Sequence, residues 1–195
     1  CWYNKFRSTE IIVSERLKTD HYMKIEIAHI DAITPNMSSG YLKNVIYIEL
    51  AIYHYVEIWG QLPIDLLTFP VHGDYSIEGN ILFKEDRVFV IDWEHFSEQG
   101  GALGFDAMYL LFETLLLDST DDKKILIHII KMIRILKEKN CIDPVFLYNP
   151  LLNTIQFMEK NQYIWGDQLN KMPILSYSTD VVSAIDDYIN SELSI

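Results

Sequence analysis

The sequence predicts a mainly α-helical fold that contains one small β-hairpin. Two long stretches, residues 41–59 and 121–139, carry apolar residues at spacings of three and four, which is typical of helices with a buried face. One pair of short apolar runs, residues 81–83 and 88–91, flanks a charged turn, which is typical of a hairpin. Everything after the hairpin has a helical pattern, so we expect helices to dominate the fold.

The elements before the hairpin are less regular. We interpret residues 10–17 as a short helix and residues 22–30, where apolar and polar residues alternate, as a strand. A longer helix is predicted from about Tyr41 to Trp59, and Gly60 and Pro63 end it.

The chain after the hairpin is predicted to form four more helices, separated by short polar segments. Acidic residues begin the second of them and lysines end it, as the helix dipole favours. The predicted helices are Phe105 to Leu117, Asp121 to Lys139, Asn153 to Lys160, and Thr179 to Leu193.

Size and charge limit the class of protein. With 195 residues, of which 49% are apolar, the chain can form one domain or one large lobe. A net charge of −12 argues against nucleic acid or an anionic membrane as the main partner, and it is compatible with a cationic small molecule. Neither a signal peptide nor an apolar run of about 20 residues occurs, so we expect a cytoplasmic protein that does not insert in a membrane.

Three polar residues lie at the two ends of the hairpin. Because a hairpin returns the chain to nearly its starting point, the side chains of Asn80 and Asp92 are expected to converge. An amide oxygen and a carboxylate are suitable ligands for Mg²⁺ bound to phosphate oxygens. Asp74 precedes the hairpin on a glycine-marked loop, where a carboxylate can orient an attacking hydroxyl group and accept its proton.

These residues occur in two motifs, His-Gly-Asp-Tyr-Ser-Ile-Glu-Gly-Asn-Ile-Leu-Phe at 72–83 and Val-Ile-Asp-Trp-Glu at 90–94. Together they resemble the catalytic and metal-binding loops of the aminoglycoside phosphotransferase and choline kinase family, whose fold is like that of protein kinases. The resemblance covers Val71 to about Phe112. It implies the C-terminal lobe of a kinase that uses ATP or GTP and Mg²⁺ to phosphorylate a hydroxyl group of a small molecule.

The resemblance also implies a role for each residue. Asp74 would be the catalytic base, and Asn80 and Asp92 would bind magnesium and, through it, the nucleotide. His72 would brace the catalytic loop. Asp106, at the start of the next helix, would support the same loop.

Two departures from the family pattern bear on these expectations. Six positions separate Asp74 from Asn80, where the family usually has five, so we expect Gly79 to absorb the extra residue; otherwise Glu78 would point at the metal. The chain begins at Cys1 and shows no glycine-rich phosphate loop before Val71. We therefore expect residues 1–195 to be a single catalytic lobe whose N-terminal, nucleotide-binding lobe lies elsewhere in a longer chain.

Two other functions remain open at this point. The extra loop residue and the missing lobe are also compatible with a non-catalytic relative that binds a nucleotide or a partner without transferring phosphate. A metal-dependent phosphoesterase is the third possibility, because His-Gly-Asp and Gly-Asn fragments occur in such sites, but it requires further histidines and acids at metal-ligand spacing.

Overall fold

The computed structural model of the protein describes residues 11–12, 39–60, 69–77, 80–84, 87–117 and 122–193. In these ranges the chain is mostly helical with a small β component, which confirms the predicted secondary-structure class. The helices are α1 (Ser39–Trp59), α2 (Phe105–Leu117), α3 (Asp122–Glu138), α4 (Pro150–Lys160) and α5 (Thr179–Leu193). The strands are β1 (Ile11–Ile12), β2 (Phe69–Val71), β3 (Ile81–Lys84), β4 (Arg87–Val90) and β5 (Ser97–Gly101).

The strands form two small antiparallel sheets. The predicted hairpin is strands β3 and β4, with Ile81 opposite Val90 and Lys84 opposite Arg87. Strand β1 pairs with the free edge of β4, so the helix predicted over residues 10–17 is wrong at Ile11 and Ile12. The strand predicted over residues 22–30 lies outside the described residues.

The second sheet, strands β2 and β5, was not predicted. Phe69 pairs with Gly101 and Val71 with Ser97, and a bulge lies between the two pairs. Position 101 cannot accommodate a side chain, because a Cβ atom there would overlap the side chain of Val71. This sheet holds the start of the glycine-marked loop against the segment that follows Asp92.

Helix α2 is the centre of the core. Every residue from Leu103 to Leu115 is buried, and α2 packs against α1, α3 and α4. A helix that is buried on all sides needs such a surrounding layer. The largest fully buried side chains include Tyr109, Phe105, Phe112 and Met108, which all belong to α2.

The segment between α4 and α5 is a series of 3₁₀ turns, which the sequence did not predict. They span Gln162–Ile164, Gly166–Lys171 and Pro173–Ser176, and a further one, Pro144–Leu147, precedes α4. Within the residues that the structure describes, none of the helices has the length and apolar character needed to cross a membrane.

Candidate active site

The hairpin brings Asn80 beside the segment that carries Asp92. The backbone N–H of Ile91 donates to the carbonyl oxygen of Asn80 at 2.9 Å, which extends the strand ladder by one pair beyond Ile81 and Val90. Asp92 follows directly, is exposed, and has a positive φ of 58°. A non-glycine residue in this left-handed region is uncommon, and its backbone turns the chain out of the strand at that residue.

Asn80 is also attached to the loop that carries Asp74. Its side-chain nitrogen donates to the carbonyl oxygen of Asp74 at 2.8 Å, and the residue is only 8% exposed. Because the amide nitrogen is used in this bond, the remaining polar atom of the side chain is its oxygen, which is the atom that binds cations. The structure therefore brings the segments of Asp74, Asn80 and Asp92 together.

The extra residue between Asp74 and Asn80 is accommodated in a wide turn. The carbonyl oxygen of Ser76 accepts hydrogen bonds from the N–H groups of both Asn80, at 3.1 Å, and Ile81, at 2.9 Å. Glu78 and Gly79 are outside the described residues, so the expectation for them stays a prediction.

His72 connects the loop to the end of the hairpin. Its Nδ1 accepts a hydrogen bond from the backbone N–H of Asp74 at 3.3 Å, so this nitrogen carries no proton. Its Nε2 therefore carries the proton and donates it to the carbonyl oxygen of Ile91 at 2.8 Å. The ring also packs edge-on against Trp93, with 4.6 Å between ring centroids. The neutral imidazole thus joins the segments before Asp74 and Asp92.

Asp106, in the first turn of α2, binds the backbone of the same loop. Its two carboxylate oxygens accept hydrogen bonds from the backbone N–H groups of His72, at 2.9 Å, and Gly73, at 3.1 Å. Burial raises the pKa of Asp106 above its usual value, and the two hydrogen bonds from the backbone act in the opposite direction. The side chain is 4% exposed, and its carboxylate fixes two successive peptide groups before Asp74.

Gly73 is a position that no other residue can occupy without a shift of the backbone. Its φ is +87°, and a Cβ atom there would lie 2.8 Å from both the Cβ and the carbonyl oxygen of His95. His95 is buried against this glycine, and its Nδ1 lies 3.2 Å from the carbonyl oxygen of Ile164.

Trp165, from the 3₁₀ turns, completes the hydrogen bonds of the loop. Its indole N–H donates to the carbonyl oxygen of Gly73 at 2.7 Å, across 92 positions of sequence. No pattern in the sequence links this tryptophan to Gly73.

Helix α2 contributes two further polar residues near Asp74 that the sequence did not single out. Tyr109 and Glu113 follow Asp106 by three and seven positions, so the three residues share one face of the helix. Burial raises the pKa of the Tyr109 phenol, and the nearby carboxylates of Glu113 and Asp74 raise it further. The phenol therefore keeps its proton, and its O–H donates to Sδ of Met172 at 3.9 Å.

The exposed side of the hairpin is apolar next to the candidate metal ligands. Leu82 is 48% exposed and Ile91 is 41% exposed, whereas Ile81 and Val88 on the opposite face are buried. Glu94 is also exposed and lies 3.4 Å from Nε2 of His95.

The described residues contain no group of three or more His, Cys, Asp and Glu side chains that is arranged to hold a metal ion. A cation at this site would therefore depend on Asp92, on Asn80 and on oxygens of its substrate. No family model, no curated protein and no solved structure matches the chain.

Proposed function

We propose that this chain is the catalytic lobe of a kinase-like phosphotransferase that moves a phosphoryl group from ATP or GTP to a hydroxyl group of a small molecule. The observation that carries the proposal is the convergence of the two motifs, because the Asn80 side chain is bonded to Asp74 and the Asn80 backbone to Ile91. Phosphoryl transfer depends mainly on positioning and on charge neutralisation, and a fixed loop of this kind serves both needs.

Asp74 acts as the base in this proposal. Its carboxylate orients the acceptor hydroxyl group toward the phosphorus and takes its proton as the new P–O bond forms and the bond to the leaving nucleotide breaks. The peptide groups around it are held by His72, Asp106 and Trp165, so the base does not have to be ordered during the reaction.

The donor set fits Mg²⁺. The oxygen of Asn80 and the carboxylate of Asp92 are both hard ligands, and magnesium sites commonly combine one or two protein oxygens with substrate phosphates and water. Bound magnesium would neutralise the charge of the phosphate oxygens. The exposed position of Asp92 suits a ligand that arrives with the nucleotide.

The apolar strip of Leu82 and Ile91 supports a nucleotide on the exposed face of the hairpin. Each side chain lies within two residues of a proposed metal ligand and leaves more than 40% of its surface exposed. A planar base covers such a strip with favourable burial of apolar surface.

A non-catalytic, kinase-like protein that binds a nucleotide or a partner is the second candidate. The wide turn at Ser76 and the unusual spacing to Asn80 favour it, since a displaced ligand reduces transfer more than binding. The phosphoesterase alternative has no support, because the residues that the structure describes lack a cluster able to hold two metals.

The test is phosphoryl transfer by the full-length protein carrying Asp74→Ala. We expect the rate of ATP-dependent phosphorylation across a panel of amino alcohols, sugars and aminoglycosides to fall to background, with the melting temperature unchanged. Asp187→Ala, at an exposed aspartate of α5, is the matched control and should retain full activity. Unchanged turnover in Asp74→Ala would contradict the proposal, whereas magnesium-dependent ATP binding with no turnover in the unmodified protein would favour the non-catalytic alternative.

A further inference from the structure

The peptide group that joins Gly73 to Asp74 is held from both of its edges. Its carbonyl oxygen accepts the indole N–H of Trp165 at 2.7 Å, and its N–H donates to Nδ1 of His72 at 3.3 Å. A peptide group is planar, so two hydrogen bonds on opposite edges fix its rotation. The Cα atom of Asp74 is part of this plane, and its position follows from the rotation of the plane.

Trp165 is itself held rigidly by the body of the protein. It is 2% exposed, and its ring packs edge-on against Phe105, with 5.8 Å between centroids. Phe105 precedes Asp106 at the start of α2, so the two groups that bond Gly73 rest on the same helix end. The neighbouring Ile164 contributes its carbonyl oxygen to His95 at 3.2 Å and its side chain to the space beside Gly73.

The carbonyl oxygen of Gly73 depends on this one donor. Gly73 is buried, and Trp165 is the only partner that the described part of the chain gives to this oxygen. A buried carbonyl group that loses its donor must rotate toward water or remain unsatisfied, and both outcomes are unfavourable. Rotation would tilt the plane that carries Asp74.

We propose that Trp165 is a positioning residue for Asp74: its indole N–H fixes the rotation of the Gly73–Asp74 peptide group and thereby the direction of the Asp74 carboxylate. The role of that carboxylate as a base rests on the proposed function, but the positioning of the peptide group does not. The 3₁₀ segment after α4 thus helps to orient Asp74, although Trp165 lies 92 positions after Gly73 in the sequence.

The experiment removes the indole N–H with as little change in packing as possible. One variant is Trp165→Phe, and a second replaces Trp165 by 3-benzothienylalanine, in which sulfur takes the place of the N–H in a ring of nearly the same shape. Phe157→Leu is the control, because Phe157 packs on the same Phe105 ring, at 4.4 Å between ring centroids, and its other ring contact is Phe146, away from Gly73. Two quantities are measured on the full-length protein: the hydrogen-exchange rate of the Asp74 amide, and phosphoryl transfer from MgATP to the same acceptor panel.

We expect the Asp74 amide to exchange about tenfold faster in both Trp165 variants, as loss of one buried hydrogen bond implies. We expect kcat to fall roughly 100-fold with the KM for MgATP unchanged, since a misplaced base affects transfer and not nucleotide binding. Phe157→Leu should lower the melting temperature and change neither quantity.

The outcomes separate this inference from the proposed function. Faster exchange in a protein that transfers no phosphate to any acceptor supports the positioning by Trp165 and rejects the kinase. An unchanged exchange rate in the folded benzothienylalanine variant overturns the positioning, whatever the kinetics. Faster exchange with an unchanged kcat overturns the link between the peptide group and the base.

Discussion

Asp106 and Asp186 hold two regions of the molecule by the same bonds, yet only one of these regions carries candidate chemistry. Each is a buried aspartate whose carboxylate accepts two successive backbone N–H groups: His72 and Gly73 for Asp106, Leu151 and Leu152 for Asp186. Burial raises the pKa of both carboxyl groups above the usual value. Neither the bonds nor the burial therefore identifies a functional site.

The difference lies in what the carboxylates hold. Asp186 accepts from the first turn of α4, where Asn149 provides no side-chain cap, so it replaces the missing N-cap of an ordinary helix. Asp106 holds an irregular loop that contains Gly73 at positive φ and ends at Asp74. The comparison teaches that an aspartate of this kind acquires functional meaning from the segment that it orders, and that substitutions at the two positions should separate stability from activity.

The largest effect is expected from Gly73→Ala, with Gly166→Ala as its matched control. Both glycines have positive φ, 87° and 52°, but a Cβ atom at Gly73 would meet His95 at 2.8 Å, whereas one at Gly166 would meet nothing within 4 Å. We expect Gly166→Ala to lower the free energy of unfolding by about 1 kcal/mol, from backbone strain alone, with activity retained. Gly73→Ala should cost about 3 kcal/mol or more and abolish phosphoryl transfer.

These values are measured by urea denaturation and by the acceptor assay. Equal stability losses in the two glycine variants would contradict the crowding at Gly73.

The next effect is expected from the aspartates themselves. In Asp106→Asn and Asp186→Asn an NH₂ group replaces one of the two carboxylate oxygens that accept from the backbone. One backbone N–H group then faces a second donor and has no acceptor, so each variant should lose about 2 kcal/mol of unfolding free energy. Only Asp106→Asn should also reduce phosphoryl transfer, by roughly 100-fold, because the loop before Asp74 is released. An equal loss of activity in Asp186→Asn would show that α4, and not the loop alone, governs the site.

The smallest effect on phosphoryl transfer is expected at His54, whose burial gives the stability of the protein a pH dependence. His54 is buried, its Nδ1 lies 3.3 Å from the Tyr75 hydroxyl oxygen, and burial lowers its pKa to about 4. Between about pH 4 and pH 6.5 the unfolded chain binds this proton and the folded chain does not, so stability rises with pH in this range and is lost on acidification.

Asparagine does not titrate. In His54→Asn we therefore expect the change in unfolding free energy across that pH range to be smaller by about 3 kcal/mol. The measurement is urea denaturation at intervals between pH 4 and pH 7. An unchanged slope would show that the folded protein protonates His54 readily.

The sequence predicted the elements whose pattern is local. The bounds of α2 and α5 match the prediction, and α1, α3 and the hairpin differ from it by one or two residues at most, because their apolar residues recur at regular spacing. Helix α4 begins three residues before the prediction, at Pro150, a residue suited to the first turn of a helix.

The elements that were missed depend on distant partners. Strand β5, Ser-Glu-Gln-Gly-Gly, has almost no intrinsic preference for a strand and forms because Phe69 and Val71 pair with it. Within the candidate site, the motifs identified Asp74, Asn80 and Asp92, whereas Trp165 acts through a bond to a carbonyl group that any residue possesses. Tyr109 and Glu113 were detectable, since with Asp106 they make a polar row on an otherwise apolar helix.

The bond between Trp165 and Gly73 also has a consequence for synthesis on the ribosome. Gly73 is synthesised about 90 residues before Trp165, whose indole completes the hydrogen bonds of the loop. At ordinary rates of translation this separation is a delay on the order of 5 to 20 seconds. The hairpin and helices α1 to α3 precede Trp165 in the chain, so the loop before Asp74 receives this hydrogen bond only after those elements have been synthesised. A growing chain that stops before residue 165 contains all the motif residues and lacks the bond that orients the proposed base.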